Sequence, residues 1–154
     1  MNPLQRGALI VIEGVDRSGK STQCRRLVKN LLSRNIKAEL LGFPDRTKHT
    51  GMDMNWCMQP ENGLPKPDLV FLFKLNQKEA AERNGFGDER YENQATQLKV
   101  SQTFSHFAEV EDNWKVIDAS KTKDEIETQL LELVLRRISE VADTELTNLQ
   151  FSVY

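Results

Sequence analysis

Apolar residues follow two different spacings along this chain. Ala8–Glu13 (ALIVIE), Lys37–Phe43 (KAELLGF), Asp68–Leu75 (DLVFLFKL) and Trp114–Ala119 (WKVIDA) are short apolar runs rich in branched or bulky residues. Near-continuous runs of that kind predict strands of a parallel sheet, the first and third of them buried on both faces. Elsewhere the apolar positions recur every three or four residues. Leu27, Val28, Leu31 and Leu32 predict a helix from about Lys20 to Arg34. Ala95, Leu98, Phe104, Phe107 and Ala108 predict a second from Gln94 to Glu109, and Ile126, Leu130, Leu133, Val134 and Ile138 a last one. Thr122 with Glu125 has the spacing of a capping box opening that last helix. A shorter helix is expected over NQKEAAERN, with Asn76 as its N-cap. Alternating strands and helices predict an α/β fold, a parallel sheet with helices on both faces. The polar tail after Asp143 is expected to be loosely held. One stretch, Phe43 to Asp68, has no period at all and is rich in Pro, Gly, Asn and Asp.

The 154 residues suffice for one domain, 1–154, with one core. A formal net charge of -2 offers no general attraction to nucleic acid or a membrane surface, so an anionic ligand would need a local site. No apolar run approaches the length of a membrane span. Two cysteines, Cys24 and Cys57, give no disulfide framework; reduced thiols and a cytoplasmic location are expected.

That local site is visible between the first strand and the first helix. GVDRSGKS, from Gly14 to Ser21, matches G-x-x-x-x-G-K-[ST] in its required strand–loop–helix setting. Gly14 and Gly19 let the backbone curl so that N–H groups surround a polyphosphate, and the helix N-terminus adds positive potential. Lys20 would reach the β and γ oxygens and the Ser21 hydroxyl would bind Mg²⁺. Arg17, inside the loop, could stabilise charge on a transferring γ-phosphate or be a solvated loop charge. Asp16 is the odd member, because a carboxylate beside a triphosphate is unfavourable unless it faces a metal or a sugar hydroxyl. The guanine-reading Asn-Lys-x-Asp pattern and the Leu-Ser-Gly-Gly-Gln segment of transport ATPases are both absent from the sequence, which leaves a short kinase.

RGALIVIEGVDRSGKSTQ, AELLGFPDR, GLPKPDLVFLF, FGDERYEN and DASK occur in this order from Arg6 to Lys121. Together they resemble thymidylate kinase of the eukaryotic type, a P-loop NTPase of the nucleoside monophosphate kinase kind. The resemblance implies transfer of the γ-phosphoryl of ATP, with Mg²⁺, to dTMP, giving dTDP for dTTP biosynthesis, and a homodimer in the family. It implies that Gly14, Val15, Asp16, Arg17, Ser18, Gly19, Lys20, Ser21 and Thr22 hold the nucleotide phosphates. Lys20, Arg17 and Asp16 would be the catalytic set, with Asp16 on the acceptor's 3′-hydroxyl. Phe43 would line the acceptor pocket and Arg46 hold its phosphate, a task suited to a planar guanidinium. Arg83 would stack on adenine, Ala119, Ser120 and Lys121 cover its other side, and Tyr91 close over the acceptor.

The resemblance also explains the aperiodic stretch. In the family the second strand leads through helices to a third strand, and those helices carry the residues that stack on and read thymine. Here the sequence passes from one side of that segment to the other at Gly51–Met52. Two or three helices, one strand and their loops amount to roughly 60 residues. A four-stranded sheet without its usual central strand is the expectation, with Lys37–Phe43 pairing directly with Ala8–Glu13 or dangling. The alternative functional reading is a truncated, non-catalytic isoform retaining at most ATP binding.

Overall fold

A computed structural model of the chain describes residues 5–14, 17–42, 63–75, 78–79, 82 and 94–148, with the backbone alone over 94–98. Six elements are built from them: β1 (Ile10–Gly14), α1 (Lys20–Ser33), β2 (Leu69–Lys74), α2 (Gln94–Val110), β3 (Trp114–Asp118) and α3 (Lys123–Val141). The sheet has the order β1-β2-β3 and both pairings are parallel. No helix among the described residues is long and apolar enough to cross a membrane.

The central strand explains the layers. Leu69 to Phe73 are all buried, as two covered faces require. Side chains alternate along a strand, so the register sorts the sheet into two faces. Ile10, Ile12, Leu69, Phe71, Phe73 and Ile117 share one face and join a single core with Leu27 and Leu31 of α1 and Ile126, Leu130 and Val134 of α3. Trp114 points to the other face, where its ring stacks on Phe107 of α2 at 5.6 Å and lies 6.1 Å from Phe104. The helices therefore lie on opposite faces, as the alternation of strands and helices predicts.

At the amino ends of the strands a polar clamp holds the register. Asp68 accepts two hydrogen bonds from the Arg6 guanidinium, at 2.8 and 2.9 Å, and a third from the Leu9 N–H at 2.7 Å. Its own N–H donates to the Leu9 carbonyl. Arg6 also donates to the carbonyl and hydroxyl of Thr144, just past α3. As far as Asn148 the tail is held where looseness was expected: the Lys66 N–H donates to the Thr147 carbonyl, and Pro65 and Asn148 form an antiparallel bridge, while 149–154 lie outside the described residues. On the far side, Asn113 donates to the Pro67 carbonyl.

Two other expectations need correction. Residues 37–42 form no strand, and Phe43 lies outside the described residues. Ile36 and Ala38 pack against the core, but Leu40 and Leu41 are 47% and 63% exposed. Their apolar run has the composition of a strand, yet a strand needs a backbone partner and none of the described strands pairs there. Among the described strands β1 stands at the edge of the sheet, half-buried throughout instead of buried on both faces. The predicted capping box is present: the Thr122 hydroxyl accepts from the Glu125 N–H, and Glu125 accepts from the Thr122 N–H.

Burial pushes the Asp68 carboxyl up, but the hydrogen bonds from Arg6 and the Leu9 N–H and the charges of Arg6 and Arg137 outweigh it and leave it below the ordinary carboxylate value. A folded-state value below the unfolded one means stability that is complete above the ordinary carboxylate range and lost as pH falls through the folded value. Thermal unfolding followed from pH 7 to pH 3 should therefore show a steep loss of Tm below about pH 4. Asp68→Asn should start from a lower Tm and fall less steeply over that window; parallel curves for the two proteins would contradict the clamp.

Candidate functional site

All loops that leave the strands of a parallel sheet emerge at one edge, and ligands bind there. Gly14, Lys74 and Asp118 end the three strands on that edge. With β2 between them, the ends of β1 and β3 lie about 10 Å apart, two inter-strand spacings.

The loop after β1 begins with a glycine that no other residue could replace. Gly14 has φ 146°, and a Cβ there would lie 2.6 Å from the Phe73 carbonyl oxygen. Further on, Arg17 (φ 60°) and Gly19 (φ 91°) are both left-handed, with the buried Ser18 between them. Left-handed residues in a tight loop are the means by which successive N–H groups line an anion-sized concavity. Gly19 is also the N-cap of α1, and it brings no side chain to cap the first N–H groups of that helix. No acidic residue occupies the first turn, so the positive end of the helix dipole is unopposed from within α1. The Lys20 ammonium donates to the Gly14 carbonyl at 2.5 Å, folding back across the loop. Ser21 is exposed and Thr22 half-buried on the same turn.

This donor set fits a polyphosphate with its metal. Main-chain N–H groups and an ammonium suit phosphate oxygens, and the neutral Ser21 hydroxyl suits a Mg²⁺ that takes its other ligands from phosphate and water. No group of three or more His, Cys, Asp or Glu among the described residues could hold a metal ion by itself. Cys24, on the next turn, is half-buried, and burial pushes its thiol up despite the nearby Lys20 and Arg25, which favours the neutral thiol over the thiolate.

The turn after β3 is built by Asp118, which sequence reasoning missed. Its Oδ1 accepts from the Ser120 hydroxyl at 2.5 Å and the Ser120 N–H at 3.0 Å. Those hydrogen bonds, the hydroxyl's first, hold the Asp118 carboxyl below its usual range. Asp with Ser two residues on, directly after a strand, is the available signal. Ala119 is fully buried and its N–H extends the sheet by donating to the Lys74 carbonyl at 2.9 Å, while Ser120 and Lys121 are exposed.

The two loops are joined through the helices behind them. Along the α1–α3 seam, Arg26 pairs with Asp124 and Glu127, Asn30 donates to Glu127, and Gln23 donates to the Lys123 carbonyl at 3.0 Å. The fold thus gathers Gly14, Arg17, Ser18, Gly19, Lys20, Ser21 and Thr22 in one loop, with Ala119, Ser120 and Lys121 on the same sheet edge. Val15, Asp16, Phe43, Arg46, Arg83 and Tyr91 lie outside the described residues.

Comparison with known proteins agrees with this geometry. A family model described as thymidylate kinase matches residues 12–52 and, in a second piece, 43–130. The thymidylate kinase of Danio rerio is 34% identical over 191 aligned positions, covering 84% of this chain and 90% of the relative. That of Homo sapiens is 34% identical over 180 positions, covering 77% and 85%. The solved structure of thymidylate kinase from Candida albicans superimposes with a TM-score of 0.75 at 26% identity, covering 94% of this chain and 99% of that one. In the Danio rerio alignment, 84% of 154 residues is about 129, so roughly 60 of the 191 positions have no counterpart in this chain.

Gly14→Ala tests the loop's anchorage in the sheet. The backbone conformation alone should cost on the order of 1–3 kcal/mol, with the overlap on Phe73 in addition. The expected outcome is loss of cooperative unfolding or a large fall in denaturant midpoint. A variant within about 0.5 kcal/mol of the parent would show that Gly14 does not approach Phe73 as described.

Proposed function

The chain belongs to the thymidylate kinase family, whose members phosphorylate dTMP, and on that premise we propose that it keeps the ATP-binding half of the site while its acceptor half is curtailed. The observation that carries this reading is the loop from Gly14 to Lys20: left-handed at Arg17 and Gly19, leading into a helix with no capping side chain, with the Lys20 ammonium folded over its mouth.

The roles follow from chemistry. The loop N–H groups and Lys20 hold the β- and γ-phosphates of ATP. Ser21 supplies the protein's hydroxyl to Mg²⁺, which when bound neutralises charge developing on the phosphates. Arg17 is exposed and sits where a guanidinium can swing onto the γ-phosphate. The turn of Ala119, Ser120 and Lys121 takes the adenine side, opposite Arg83. Asp16 meets the acceptor's 3′-hydroxyl, Phe43 and Arg46 hold the acceptor's ring and phosphate, and Tyr91 closes over it.

Three observations support a curtailed acceptor half. The two pieces matched by the family model overlap at 43–52, around the expected junction at Gly51–Met52. The alignment leaves roughly 60 positions of the relative unmatched. Residues 37–42 lack the strand that their composition predicts. Phosphoryl transfer depends almost wholly on positioning and electrostatics, so a loosely held acceptor loses rate steeply. On this reading the chain derives from an enzyme of dTTP supply and retains nucleotide binding more than turnover.

Ligand-dependent unfolding tests this split. Mg·ATP at about a hundred times its Kd should add about 2.7 kcal/mol and raise Tm by several degrees. Lys20→Ala should remove most of that shift, whereas dTMP alone should move Tm by less than about 1 °C. A dTMP shift equal to that of Mg·ATP would mean that the acceptor pocket is intact.

A further inference from the structure

Ser18 and Gln23 are the buried polar side chains among the described residues, and of the two Gln23 stands on the seam between α1 and α3. It lies in the first turns of α1 with a relative exposure of 2%. Its N–H donates to the carbonyl of Gly19, the last glycine of the phosphate loop, at 3.0 Å. Its side-chain Nε2 donates to the carbonyl of Lys123, the first residue of α3, at 3.0 Å. The main-chain bond is the first of α1, so it is the side chain that ties α1, directly behind the phosphate loop, to the helix that begins two residues beyond Lys121.

The amide orientation is dictated by its partner. A backbone carbonyl only accepts, so the NH₂ end must face Lys123 and the carbonyl end must face away. That carbonyl, Oε1, is buried with no hydrogen-bond partner. An unpaired buried carbonyl counts against the folded state, and an apolar side chain of similar length would fill the same space without it. Leu27, one turn further along α1, already belongs to the apolar core that α1 shares with α3. Stability therefore does not account for an amide at this position. Of the other seam contacts, Arg26 with Asp124 reaches solvent and is open to screening by water and salt, and Asn30 with Glu127 lies two turns further from the loops. Gln23 is the buried, directional one, and it is the one nearest the loops.

We propose that Gln23 is a positioning residue that fixes the distance between the phosphate loop and the turn of Ala119, Ser120 and Lys121, so that a nucleoside triphosphate is gripped at both ends at once. This rests on the reading above that the turn lies against the base. Without the tie, each loop keeps its own shape: Gly14 is held by Phe73, and the turn by Asp118. What is lost is the fixed spacing, which matters only to a ligand long enough to span both loops, as in any two-point attachment. A ligand that touches the phosphate loop alone does not sense it.

The test compares Mg·ATP with Mg·tripolyphosphate by calorimetry on the full chain and on Gln23→Met, with thermal unfolding of both. Gln23→Leu is the second variant. The wild-type protein should bind Mg·ATP more tightly than Mg·tripolyphosphate. Equal affinities, or no binding of either, would refute the base-side reading itself, and the inference with it. Given that preference, Gln23→Met should weaken Mg·ATP on the order of five- to tenfold while tripolyphosphate changes less than about twofold. Its Tm should hold or rise, because the unpaired carbonyl is gone. A merely structural residue would instead lower Tm and weaken both ligands together, and that result, or unchanged affinity for both, would overturn the proposal.

Discussion

The whole site hangs from the carboxylate of Asp68. It lies at the opposite end of the sheet from the phosphate loop, yet it sets where that loop begins. By taking the Leu9 N–H and the Arg6 guanidinium, and through its own N–H on the Leu9 carbonyl, Asp68 locks β1 to β2 in one register. A slip of one residue would turn Ile10 and Ile12 away from the core and move Gly14 off the Phe73 carbonyl. The close approach of Gly14 to Phe73 is possible only in the observed register, and the loop's departure from the sheet follows from it. Arg6 carries the same constraint to Thr144, so the end of α3 is fastened to the start of the sheet by one ion pair and its hydrogen bonds.

That frame is indifferent to what stands outside β1. The central strand is buried on both faces and its two neighbours are aligned on it, with α1 and α3 around the core on one face and α2 on Trp114 on the other. The segment that would have continued the sheet is left with Leu40 and Leu41 in solvent and β1 as an edge. The loops of the candidate site leave β1 and β3 and lead into α1 and α3, all among the described elements.

What the sequence made legible was local. The first two helices have their expected limits to within a residue and the third starts where its cap was expected, because a 3.6-residue apolar period and a Thr-x-x-Glu cap are written in consecutive residues. The β2 run, apolar throughout, was legible for the same reason. The phosphate loop was legible because glycine at positive φ cannot be exchanged for anything else. What escaped was non-local. Residues 37–42 have the composition of a strand, and no described strand pairs with them. Arg6 and Thr144 meet across 138 positions of sequence, and nothing in either's surroundings announces the other. Gln23 looks like any polar residue on a helix until α3 is laid over it. Of the acceptor-side residues, legibility rests wholly on family resemblance, because Phe43, Arg46 and Tyr91 have no periodic setting of their own.

The central claim is that a family frame for nucleotide binding persists while the acceptor is no longer held for transfer. The most direct measurement is dTDP formation by the purified 154-residue chain with ATP, Mg²⁺ and dTMP, alongside the human relative under the same conditions. The account predicts a rate at least about 10²-fold below that relative from a chain that still unfolds cooperatively, as expected when reacting groups are misplaced by about an ångström or more. Turnover comparable to the relative's, abolished by Lys20→Ala, would contradict it and mean that residues 43–62 rebuild an acceptor pocket.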